Sequence, residues 1–134
     1  MSPETLIKGS DKVIAHFGEW PRFHDMEVIS VTFERRGPEA PWIELVMYVW
    51  KYTGRLTPSG HYEQDRHALV RFRCEQVTKN SLEGFNNQNV LDALNFTNGQ
   101  GEEAPMRVDF PSNYGVVGFI ECARVSVVDV VPAS

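Results

Sequence analysis

The sequence predicts an α+β fold that is mostly β: a curved antiparallel sheet with one short N-terminal helix. Three observations carry that expectation. Apolar and polar residues alternate with period two in several separate windows, as in half-buried strands. Only one stretch has convincing helical spacing, and a glycine closes it. Glycines interrupt the last long β-branched run, where a strand must bend or bulge.

The helix comes first. Ser10 is placed to cap a helix starting near Asp11, whose charge suits the positive N-terminal end. Val13, Ile14 and Phe17 share one face, and Gly18 supplies the left-handed stop. Trp20-Pro21 cannot continue it, because proline disfavours helical geometry in the residue before it. A weaker helix start lies at Ser2-Pro3. From Met26 onward the pattern is strand, with Ile29, Val31 and Phe33 alternating with Ser30, Thr32 and Glu34, and a turn at Arg35–Glu39. Pro41–Tyr52 is apolar on both sides near its middle, as expected of a central strand covered on both faces. A turn at Thr57–Gly60 leads to Ala68, Val70, Phe72 and Cys74, which alternate with Leu69, Arg71, Arg73 and Glu75. Val90–Phe96 reads as strand, Thr97–Pro105 as loop, and Met106–Phe110 as strand again. A turn at Pro111-Ser112-Asn113 then precedes the long run Tyr114–Val131, with bends expected at Gly115 and Gly118.

A chain of 134 residues without internal repeat or linker is expected to form one domain. The net charge of −5 gives no general attraction to a phosphate backbone, so no nucleic-acid partner is expected, whereas a basic protein would be steered towards it. Cys74 and Cys122 fall in apolar runs, where thiols act as small hydrophobes; two cysteines make no disulfide framework, though one bridge stays open. The start Met1-Ser2-Pro3-Glu4-Thr5 lacks the basic segment and apolar run of a signal peptide, and no window is long and apolar enough to span a bilayer. A cytosolic protein without a membrane partner is the expectation.

The searches for chemistry exclude several classes. Gly99-Gln100-Gly101 lacks the third glycine and the strand-to-helix setting of a dinucleotide site, and no glycine loop carries a phosphate-binding lysine. There is no Gly-x-Ser-x-Gly elbow, and the cysteines are too far apart for zinc-ligand spacing. Neither a cofactor nor a metal is expected. The strongest candidate for chemistry is His24-Asp25, with Glu27 nearby, since an imidazole beside carboxylates can move a proton or bind a divalent ion. That enzyme or metal reading requires these side chains to face one cavity with another histidine, from His16, His61 or His67, in reach. The simpler account has Asp25 satisfying loop amides and His24 bonding across the helix-to-strand corner. Trp20, Pro21 and Phe23 are expected to plug one end of the sheet more than to anchor a partner. Asn86-Asn87-Gln88-Asn89 cannot be buried unless each amide finds partners, so it is either a tight turn or an exposed recognition loop. A scaffolding domain that self-associates would instead show an exposed apolar face or edge.

Trp20-Pro21-x-Phe23-His24-Asp25 and Glu83-Gly84-Phe85-Asn86-x-Gln88-Asn89, with Gly9-Ser10-Asp11-Lys12 and His67-Ala68-Leu69-Val70, resemble the immunity protein 50 family from about Gly9 to Val131. Met26 and Asn87 depart from the family pattern, which often has a small residue and a histidine there. The resemblance implies a mostly β, non-catalytic protein of bacterial polymorphic toxin systems, which binds and neutralises a cognate protein toxin encoded nearby. An acidic surface would suit a basic nuclease toxin. The expected partner-binding residues are Trp20, His24, Asp25, Glu27, Asn86, Asn87, Gln88 and Asn89.

Overall fold

The computed structural model describes residues 5–99, 102 and 104–133. The expected Ser2-Pro3 helix start lies outside these residues, as do Gln100, Gly101 and Glu103 of the expected loop. Among the described residues a helix, α1 (Ser10–Phe17), precedes eight strands: β1 (Glu27–Glu34), β2 (Trp42–Leu56), β3 (Tyr62–Glu83), β4 (Val90–Leu91), β5 (Asn95–Asn98), β6 (Met106–Phe110), β7 (Ser112–Tyr114) and β8 (Val117–Pro132). All eight belong to one antiparallel sheet in the order β5-β6-β8-β3-β2-β1-β4-β7. The expected mostly β, α+β architecture is the one observed.

Gly18 closes α1 as anticipated, with a left-handed backbone and its N–H donating to the Ile14 carbonyl. The start differs. Gly9 holds the cap position and Ser10 is already helical, because the preceding segment is pinned to β8: Lys8 donates to the Val125 carbonyl and accepts from the Val127 amide. The chain therefore enters the helix at an angle fixed by the sheet. Val13 and Phe17 are buried on the inner face, where α1 packs against β8 and β3.

Alternation along β2 places Ile43, Leu45, Met47 and Val49 on that inner face, beside Ala68, Val70, Phe72 and Cys74 of β3, all buried. Each such valine, isoleucine, leucine, methionine or phenylalanine side chain removed from water contributes about 1.5–3 kcal/mol. The expectation that β2 is covered on both faces is corrected. Its other side, with Val46, Tyr48 and Trp50, is only half-buried. There Glu44 is screened by its neighbours on β3, accepting hydrogen bonds from Arg71 (2.6 Å) and Arg73 (2.6 and 2.9 Å). Burial by itself would raise the Glu44 pKa, but the two arginines outweigh it and hold the carboxylate below its ordinary range. A bulge between Val28 and Ser30 interrupts the expected alternation of β1 and leaves Ile29 exposed.

The last part of the chain bends the sheet round. The expected Val90–Phe96 strand is split into β4 and β5, and the expected turn after Phe110 is instead strand, with only Pro111 between β6 and β7. One long hairpin thus has two halves. Its β5–β6 half pairs with β8 through β6, and its β4–β7 half pairs with β1 through β4. Residues two apart are at most about 7 Å apart, so Phe110 and Ser112 draw opposite flanks of the sheet together. Pro111 fixes the corner, its carbonyl accepting the amides of Asp92 (2.8 Å) and Ala93 (3.4 Å). At the other extreme, β2 and β3 continue past their neighbours as a two-stranded arm bearing exposed Leu56 and Tyr62.

Candidate functional site

The two unusual strings lie side by side. Main-chain bonds run from Asp25 to the Leu91 carbonyl (2.9 Å), from Leu91 to Met26 (3.0 Å), and from Val28 to Asn89 (2.9 Å). They form the β1–β4 corner, and each string divides into an inward and an outward half.

In the first string the aromatics go in. Phe23 is buried, and Trp20 is half-buried, their rings edge-to-face at 5.6 Å and both packed near Phe72 and Phe96. A four-residue turn follows, closed by the Met26 amide donating to the Phe23 carbonyl (3.2 Å). Phe23 and Asp25 both have positive φ, 61° and 64°, a conformation unusual for a bulky aromatic. Anchored by Phe23 below, that turn lifts His24 and Asp25 into solvent. His24 Nδ1 donates to the Asp92 carbonyl (3.0 Å) and lies 3.4 Å from the Asp92 carboxylate, while Nε2 lies 3.4 Å from the Asp25 carboxylate. All three side chains are about half exposed, at 56%, 45% and 59% for His24, Asp25 and Asp92. The site is thus an exposed imidazole between two carboxylates.

In the second string the amides divide. Asn89 is buried at 3% and fully engaged. Its Oδ1 accepts from the Asn86 and Val116 amides (3.0 and 3.1 Å), and its Nδ2 donates to the Asn86 and Val28 carbonyls (2.7 and 3.4 Å). Asn86 folds the loop on itself, accepting from the Gln88 amide and donating to the Gly84 carbonyl. Gly115, at φ 82°, crosses this knot so closely that a Cβ there would lie 2.4 Å from Asn89 Oδ1 and from the Gln88 carbonyl. Asn87, Gln88 and Phe85 are left pointing outward. The string is therefore a turn tied by Asn86 and Asn89, with Asn87 and Gln88 exposed.

Glu27 stands apart from His24: it sits on β1 opposite Tyr48 and Val90. His16 bonds the Arg66 carbonyl, and His67 pairs with the Tyr48 hydroxyl at 2.7 Å. The geometry required by the enzyme or metal reading, with Glu27 and a second histidine around one cavity, is therefore not assembled. Among the described residues no group of His, Cys, Asp or Glu is arranged to hold a metal ion. Asp92 was missed in the sequence; a lone carboxylate inside the apolar run Val90–Phe96 was the signal for it.

Beside this corner runs an open groove of about 1550 Å³. Trp20 to His24 and Asp92 to Thr97 are among the residues that line it. Residues 9–133 match the family model described as Immunity protein 50. No curated protein and no solved structure matches the chain.

Proposed function

Because the chain belongs to the immunity protein 50 family, we propose that it neutralises a cognate protein toxin of a bacterial polymorphic toxin system by binding it and masking its active surface. The observation that carries this reading is the convergence of the two strings on one exposed corner. The main-chain pairing of Asp25 with Leu91 and Val28 with Asn89 joins them, leaving His24, Asp25 and Asp92 exposed at one end and Asn87 and Gln88 exposed at the other, on a base of satisfied hydrogen bonds and packed aromatics. A rigid polar surface beside an apolar groove is what a preorganised protein-binding site needs. The protein acts as a binding partner, with no catalytic step. Its carboxylates favour a basic toxin surface, chiefly by speeding encounter.

The cytosol is the compartment we assign. Cys74 and Cys122 are free, buried and adjacent, and the hydrogen bond from Cys122 together with burial pushes the Cys74 thiol well above its ordinary pKa. Such thiols suit a reducing compartment. Among the described residues no helix is long and apolar enough to cross a membrane.

Co-expression with the toxin encoded beside this gene tests the reading. Growth rescue together with a stoichiometric complex is expected, with affinity falling as salt rises. Rescue without any complex would overturn neutralisation by binding, and a salt-independent affinity would remove the basic-partner part.

A further inference from the structure

We propose that the groove beside β5 receives an extended segment of the toxin, which adds to the sheet as a further strand on the free edge of β5. This rests on the immunity reading and names the manner of binding. Among the described residues β5 is the edge strand of the sheet, paired with β6 alone. Gly99 donates to the Pro105 carbonyl at 2.9 Å, and antiparallel hydrogen-bonded pairs recur every second residue. Thr97 opposite Arg107 and Asn95 opposite Asp109 are therefore the other bonded pairs. The N–H and C=O groups of Phe96 and Asn98 then point away from β6, and Phe96 lines the groove. Among the described residues no main chain takes them up.

Edge strands are usually blunted by proline, lysine or a covering loop. This edge reads Asn95-Phe96-Thr97-Asn98 and has none of the first two, and its Phe96 ring packs near Trp20 and Phe23. The occupant's chemistry follows from the walls. Main-chain groups at Phe96 and Asn98 call for an extended backbone, and alternate side chains of an added strand face the aromatic floor at Trp20 and Phe96. At the end of the groove Asp92, with Asp25 beyond His24, presents exposed negative charge. Of the cations that line the groove, Lys51 bonds the Phe17 carbonyl and Arg107 bonds Asp109 and Glu121, while Arg22 has no acidic partner among the described residues. The fitting segment is an extended strand with an apolar side chain facing inward and a lysine or arginine towards Asp92.

The test compares Asn98→Pro with Asn98→Ala in the full chain, using the toxin encoded beside this gene as probe. Proline at this edge position deletes an outward N–H while leaving the β5–β6 bonds in place; alanine keeps the N–H and removes only the side chain. We expect Asn98→Pro to weaken binding roughly tenfold or more and Asn98→Ala to bind like the wild type. In the wild-type complex the amides of Phe96 and Asn98 should gain hydrogen-exchange protection, a result that does not depend on how the proline variant folds. Unchanged exchange at both amides, or equal affinity of the proline variant, would overturn strand addition and leave the immunity reading standing. Failure of the wild type to bind at all would overturn both.

Discussion

The inward and outward halves of the two strings do different work with the same residue types. Asn89 and Asn87 are two positions apart, yet one ties four main-chain groups of three segments together and the other stands in solvent. Phe23 and His24 are adjacent, yet one is a core residue and the other an exposed ligand for carboxylates. The contrast teaches that a distinctive motif marks a construction as a whole. Its inner residues set the pose, and only its outer residues are free to meet a partner.

Substitutions can break that division or sharpen it. Phe23→Ala should be the most damaging, at about 4 kcal/mol, since it empties a core position among Trp20, Phe72 and Phe96; denaturant unfolding measures it. Asn89→Leu should cost about 3 kcal/mol, because the Val116 and Asn86 amides lose their acceptor. A variant as stable as the wild type would show that the loop needs no such knot.

Glu44 supplies a control on the open face, away from both strings. With its folded-state pKa held low, the stability it adds is present above the unfolded carboxylate value and is lost as pH falls through the lower folded value. Glu44→Gln should therefore cost about 1 kcal/mol near neutrality, and the gap from wild type should close as pH falls below the ordinary carboxylate range. Thermal melts across pH follow it, and toxin affinity should not change. Smallest in stability is Asn87→Ala with Gln88→Ala, expected within about 0.5 kcal/mol of wild type. Its effect should appear as weaker toxin binding; unchanged affinity would confine recognition to the groove and the His24 corner.

Much of this was legible in the residues. Gly18 after a short apolar face marked the end of the helix, and alternation at Ala68–Cys74 and Met106–Phe110 marked buried strand faces. What escaped notice depends on partners. β3 runs on through Gln76–Glu83, a polar stretch with no apolar rhythm, because β8 pairs with it along its length. Pro111 reads as a turn residue, and only the opposing Asp92 and Ala93 amides explain why the strand resumes after it. Of the site, the two strings were visible, but their meeting was not. Neither local pattern says that Asp25 will bond Leu91, and Asp92 gained its place only through that contact.

The shared hairpin has a consequence for how the molecule comes apart. A sheet ordinarily frays from its margins inward, losing one outer strand while the rest survives. Here the strands near both margins, β6 and β7, are consecutive links of one chain joined through Pro111. Peeling β6 from β8 pulls on the same segment that steadies β4 against β1, so the cheap first step of unzipping is denied at either side. The sheet should let go all at once.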